Sequence, residues 1–114
     1  MPIANEILEE ALIGRQLSAV TFVMDYFRFE FDGNNLIVYS LPIATFQQDP
    51  EGGFRDQLCA FIARDVTSVR EIEGVAVHID FGEFGRLSVP LDEDSQRTVE
   101  IAELLREGKT VLMW

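Results

Sequence analysis

One histidine, one cysteine, a run of acids and a glycine-led helix start are the residues of this chain whose types could do chemistry. His78 is the only side chain whose ordinary pKa suits a Ser–His–Asp or Cys–His base near neutrality. It stands between Val77 and Ile79, where a period of two puts it on the outer face of a strand. The reading is a surface or interface histidine, and any nucleophile has to reach it by tertiary contact. Cys59, between Leu58 and Ala60, has no neighbouring Lys or His to lower its pKa and is expected in the core. With one His and one Cys, the usual zinc pattern is out of reach. The densest carboxylate run, Asp92-Glu93-Asp94-Ser95, lacks the glycine and glutamate spacing of a calcium loop and reads as an acidic turn or helix cap. In Glu51–Asp56 (E-G-G-F-R-D) two glycines precede a helix start, a position that can cradle phosphate. Asp49, Glu51 and Asp56 oppose an anion there, and no G-K-[S/T] follows. Among twenty acids some close carboxylate pair is inevitable, so such a pair carries no signal of glycoside chemistry. The expectation is a chain with no catalytic residue, cofactor or metal, and not an enzyme.

Charge narrows the partners. Twenty acidic residues against nine basic ones give a net charge of −11. Nucleic acid is disfavoured, because binding needs a basic footprint to displace phosphate counterions. Anionic membrane surfaces are disfavoured for the same reason, and the longest mostly apolar stretch, Leu36–Phe46, falls short of the roughly 20 residues of a spanning helix. A basic protein partner is what such a charge attracts, with steering that salt weakens. A start of M-P-I-A-N-E without basic and apolar regions, together with the single Cys59, sets the expectation of a cytoplasmic protein.

The elements that must position these residues announce themselves by a repeat. Ala11–Val20 (A-L-I-G-R-Q-L-S-A-V) and Ala60–Val69 (A-F-I-A-R-D-V-T-S-V) share Ala11/Ala60, Ile13/Ile62, Arg15/Arg64 and Val20/Val69. Farther on, Phe27–Asp32 aligns with Val77–Gly82 and Leu36–Val38 with Leu87–Val89. In each copy a helix with an apolar stripe leads into strands: Pro2–Ile13 in the first, Phe54–Ala63 in the second. The strands expected are Leu17–Val23, Tyr26–Phe31 and Leu36–Leu41, then a pair around Glu73-Gly74 and Arg86–Leu91. Phe27, Phe29 and Phe31 face inward, as do Val75, Val77, Ile79 and Phe81. Ile43–Gln48 extends the first meander, and Asp25 falls in a turn. The predicted fold is α+β: one domain over 1–114, built of two pseudo-symmetric helix-plus-three-strand-meander repeats, about 2–48 and 52–92. The C-terminal element 94–114 has helical composition up to Gly108 and then a strand, with a strand hairpin turning at Glu107-Gly108 as the alternative.

Leu12–Phe27 (L-I-G-R-Q-L-S-A-V-T-F-V-M-D-Y-F), Phe31–Gly33 (F-D-G) and Phe54–Ile62 (F-R-D-Q-L-C-A-F-I) resemble an uncharacterised family of small acidic bacterial proteins. Its pattern runs F-V-M-D-Y, F-D-G, R-D-x-L-C-x-x-I-G and finishes on Trp. The likeness covers most of the chain, thins after Leu91, and departs at Ala63, where the family has Gly. It implies a compact bacterial domain and supplies no activity.

Aromatic and polar groups outside the expected core mark the candidate interface: Tyr26, Arg28, His78, Phe84 and Trp114. A homodimer through the Tyr26/Arg28 or Phe84 surface would cover open sheet edges. The functional expectation is a non-enzymatic, acidic protein-interaction module, such as an immunity or antitoxin-like inhibitor of a basic partner. The alternative is a small-ligand binding domain with its pocket at the junction of the repeats.

Overall fold

A computed structural model describes residues 3–48, 51–92 and 101–114. In chain order the elements are α1 (Ile3–Leu12), β1 (Ala19–Phe22), β2 (Phe27–Phe31), β3 (Asn34–Val38), β4 (Ile43–Phe46), α2 (Phe54–Cys59), β5 (Ser68–Ile72), β6 (Ala76–Asp80), β7 (Gly85–Pro90), β8 (Ala102–Arg106) and β9 (Lys109–Met113). The strands form two antiparallel sheets, one ordered β1-β2-β3-β8-β9 and the other β4-β7-β6-β5.

Alternation of side chains supplies one core between the sheets. Val20, Phe29, Leu36, Leu104 and Leu112 stand opposite one another across the five-stranded sheet and all join the core. Ala44, Leu87, Ile79 and Val69 form the matching row of the four-stranded sheet. Leu8, Ala11 and Leu12 add the buried stripe of α1. Asn34 ties three elements at this boundary. It is 2% exposed. Its Nδ2 donates to Ala11 O (2.9 Å), and its Oδ1 accepts from Glu107 N (3.3 Å).

The expected α+β fold of two helix-plus-three-strand-meander repeats is not what forms. The molecule is mostly β, with two short helices and nine strands among the described residues. Three departures account for the difference. First, β4 does not extend the meander β1-β2-β3; it pairs with β7 in the other sheet. The chain leaves the first sheet at Ser40 and Pro42, where buried Ser40 Oγ donates to Pro90 O (3.1 Å). Second, the tail forms the hairpin β8–β9 and extends the first sheet. Helical propensity gives way because Ala102 and Leu104 fill buried places beside Val38 and Leu36. Residues 93–100, which include most of the acidic run and the expected helix start, lie outside the described residues. Third, the helices cross over: α1 packs on β5 and α2 on β1. Glu71 N on β5 donates to Asn5 Oδ1 of α1 (2.7 Å), which satisfies a group of that edge strand.

The two copies of the repeated segment meet where the helices end. Gly14 N donates to Val66 O (2.9 Å) and Ala63 N to Leu17 O (2.8 Å); Leu17 N donates to Arg64 O (3.1 Å) and Val66 N to Arg15 O (2.9 Å). With 14 aligned to 63 and 17 to 66, these are two reciprocal pairs. Gly14 has φ +82° and Ala63 φ +72°, so the alanine adopts the left-handed backbone of its glycine counterpart.

Smaller expectations divide. Phe29 and Phe31 are buried, as are Val77, Ile79 and Phe81, and Asp25 is exposed at a bend. Val75 does not face inward. It belongs to the Glu73–Val75 turn and is 54% exposed.

Candidate functional site

Two adjoining depressions open where β4 ends beside the β6–β7 loop. The larger, about 840 Å³, is lined by Phe46, Gln47, Gln48, Glu51, Glu83 and Phe84, with Ala60 and Arg64 from the end of α2 and the turn after it. The smaller, about 510 Å³, shares Phe46, Gln47 and Glu83 and runs onto the outer face of the four-stranded sheet, over His78, Asp80, Arg86 and Ser88. The shared residues set the two side by side, and together they are called the trough.

An aromatic cluster forms the floor of the larger end. Phe46 stacks on Phe61 with ring centroids 5.1 Å apart, and Phe84 meets both edge-on at 5.5 and 5.6 Å. The β6–β7 loop holds Phe84 in place through Phe84 N to Phe81 O (3.2 Å) and Gln47 N to Phe84 O (3.4 Å). Close approach of β4 to β7 depends on Gly85, where a Cβ would lie 2.6 Å from Thr45 O. The Arg64 guanidinium lies 3.5 Å from the Phe84 ring centroid, a cation–π contact. Among the described residues, Glu51 and Glu83 form no ion pair.

The smaller end is polar. Strand register places His78 between Ser88 and Arg70, and Asp80 between Arg86 and Ser68. Nδ1 of His78 lies 2.8 Å from Ser88 Oγ. Asp80 accepts from Arg86 Nε (2.6 Å) and from Ser68 Oγ (3.0 Å). Burial, then the positive field of Arg86, holds the His78 pKa below its ordinary value; Arg70 adds to this and Asp80 opposes it. The Arg86 hydrogen bond leads in lowering the Asp80 pKa, with burial opposing it and Ser68 reinforcing it. An imidazole against a hydroxyl has the makings of a nucleophile–base pair, which needs a third group to orient the ring. The carboxylate that would orient the ring is held by Arg86 and Ser68, and Ser88 is only 8% exposed. The pair stands as a cross-strand hydrogen bond on a sheet face.

The five expected interface residues fall into two groups. His78 and Phe84 line the two ends of the trough. Tyr26, Arg28 and Trp114 belong to the five-stranded sheet and its margins. Tyr26 packs on Tyr39 at 5.8 Å, Tyr39 N donates to Ile101 O, and Ile101 N donates to Trp114 O. Arg28 is exposed on the outer face of that sheet, and Trp114 packs against the core. Phe84 is half-buried in its cluster and so is less free than a loop aromatic between glycines predicts. Cys59 is a free thiol only partly buried, which corrects the expected core position. It lies beside Leu58, the residue of α2 that reaches the core.

Sequence reasoning missed Ser88, Phe46 and Arg64. Ser88 was within reach, since closing the hairpin around Gly82–Gly85 sets it opposite His78. Phe46 gave no usable signal, because its place follows from β4 changing sheets. The E-G-G-F-R-D start of α2 caps itself: Gly53 N donates to Asp56 Oδ2 (3.2 Å), and Arg55 lies over Phe22 at 5.3 Å. Among the described residues no three His, Cys, Asp or Glu side chains converge as metal ligands would, and no helix is long and apolar enough to cross a membrane. Compared with protein-family models, with curated proteins and with solved structures, the chain gives no match.

Proposed function

We propose that the protein is a binding module without chemistry of its own, which holds a basic protein partner in the manner of an immunity or antitoxin-like inhibitor. Uncompensated charge carries this reading. The chain has a net charge of −11, and among the described residues the ion pairs are Arg86–Asp80 (2.6 Å) and a longer, exposed Arg106–Glu10 contact (3.4 Å). Several cations are directed elsewhere: Arg15 donates to Asp32 O, Arg55 lies over Phe22 and Arg64 over Phe84. The carboxylates are left to set the outward field, which speeds encounter with a basic surface and repels phosphate. A cytoplasmic setting belongs to the same proposal, supported by the lone free thiol. A homodimer is the weaker alternative, since each copy carries the same −11.

Capture from native lysate at low salt tests the reading, followed by purification and titration of what is captured. The expected result is a stoichiometric protein of basic isoelectric point whose affinity drops at least about tenfold when salt rises about tenfold. Recovery of the bait alone, or binding indifferent to salt, overturns it. The cavity of about 840 Å³ favours a second reading, a small-ligand domain, because its size lies within the range of ligand sites. A metabolite that raises the melting temperature progressively as its concentration exceeds its Kd would support that reading.

A further inference from the structure

We infer that the trough at the end of β4 is where this partner docks, and that it takes an extended, arginine-bearing segment. The inference rests on the acidic-module reading and gives it a location. Three observations converge on the site. Its larger end is a cavity of about 840 Å³, and a second depression of about 510 Å³ adjoins it at Phe46, Gln47 and Glu83, so that a segment longer than one residue can reach both. Its walls carry oxygen acceptors on four side chains, Gln47, Gln48, Glu51 and Glu83, and the two carboxylates form no ion pair among the described residues. Its floor is aromatic, and the molecule already displays there what such a floor binds: the Arg64 guanidinium seated 3.5 Å from the Phe84 ring centroid.

A planar guanidinium suits these walls. It offers five N–H donors to amide and carboxylate oxygens while its face lies on a ring. Charge selects the occupant. A second copy of this chain brings −11 to a site whose two carboxylates form no ion pair among the described residues, and an anionic ligand meets the same pair. A basic segment meets neither obstacle. Arg64 is then an internal competitor, since it covers Phe84 and is the one cationic side chain among the described residues that line the larger end.

The test uses the whole chain and a fluorescent arginine–glycine peptide of about ten residues, titrated by anisotropy at low and high salt. Glu51→Gln with Glu83→Gln removes two charges at the trough, and Glu6→Gln with Glu9→Gln removes two exposed charges from α1, away from both depressions. The trough pair is expected to weaken binding at least about tenfold and the helix pair less than about threefold. Arg64→Ala is expected to tighten binding more than Arg28→Ala, which makes the same change in net charge on the outer face of the other sheet. Thermal melts confirm that all four variants fold. Equal effects of the two glutamine pairs would overturn the docking site and leave the acidic reading standing. No binding by the unaltered protein at low salt, or binding that salt does not weaken, would overturn both.

Discussion

Ala63 sits in a conformation that belongs to glycine, and the chain holds its own control forty-nine residues earlier. Ala63 has φ +72° and Gly14 has φ +82°, and each donates its N–H across the same crossing, to Leu17 O and to Val66 O. For an L-residue the left-handed region costs about 1–2 kcal/mol through Cβ–carbonyl crowding. Replacing Ala63 by Gly removes that strain and returns about 0.4–1 kcal/mol to the freedom of the unfolded chain. The net expectation is a gain of about 0.5–1 kcal/mol, a rise in melting temperature of about 2–5 °C for a domain of this size. Gly14→Ala runs the argument backwards. A Cβ at Gly14 meets nothing within 4 Å, so its cost is backbone strain alone and the loss is about the same size. Urea denaturation of both single variants and of the exchanged pair, with unchanged slopes, measures this directly. The exchanged pair should return close to the parent. If Ala63→Gly destabilises the protein, or Gly14→Ala leaves it unchanged, the strain argument and the equivalence of the two sites are wrong.

Three further outcomes follow from single contacts. Because the folded His78 pKa lies below its ordinary 6.5, its contribution to stability is present above that value and is lost as pH falls through the folded pKa. Melting temperature should therefore drop between about pH 7.5 and 5.5, and His78→Gln should flatten the change; parallel curves for the two proteins refute the assignment. Asn34→Ala strands buried Ala11 O and removes the acceptor of the part-buried Glu107 N, and should cost about 1–3 kcal/mol in denaturant, with amide exchange at Glu107 accelerated; a loss below about 0.5 kcal/mol contradicts the bridging role. Gly85→Ala drives a Cβ toward Thr45 O and the Phe46 and Phe61 rings and should cost about 2 kcal/mol while loosening β4; a neutral variant would mean that β4 has room to shift.

Much of the local structure was legible and the assembly was not. Period-two alternation picks out Phe29, Phe31, Val77 and Ile79 as core residues because each strand keeps one face on the interior. Aligning Asp25 with Gly74 places it in a turn, for an unpaired carboxylate is costly to bury. Local pattern fails where a long-range partner decides. Ala102–Arg106 is composed like a helix and becomes a strand because β3 offers it a paired edge. Ile43–Phe46 reads as the next strand of its own meander and instead joins β7, about forty residues ahead. Nothing in I-A-T-F names that partner. Half of the trough is hidden by the same choice: His78 and Phe84 stand out in the sequence, whereas Phe46 matters only because β4 brings it to them.

Exchange of helices explains why two similar halves do not make two units. An edge strand needs cover, and each helix supplies it to the sheet that its own half does not begin: α1 lies on β5 and offers Asn5 Oδ1 to Glu71 N, while α2 lies against β1 with Phe54 on Phe27 and Arg55 over Phe22. The reciprocal hydrogen bonds between Gly14–Leu17 and Ala63–Val66 mark the place where this exchange crosses. A half alone would lose the helix over its edge, the opposite wall of its core and, in the first half, the partner of β4. The halves therefore share one cooperative core, in which Leu8, Leu12 and Leu17 pack in the same cluster as Leu58, Phe61 and Val66. The trough lies beside this crossing and takes residues from both halves: Phe46 arrives with the strand that changes sheets, and Arg64 comes from the crossing segment itself. The aromatic floor of the trough is thus positioned by the core, Phe46 and Phe84 both packing on buried Phe61, while Gln48 and Glu51 come from the connection between β4 and α2.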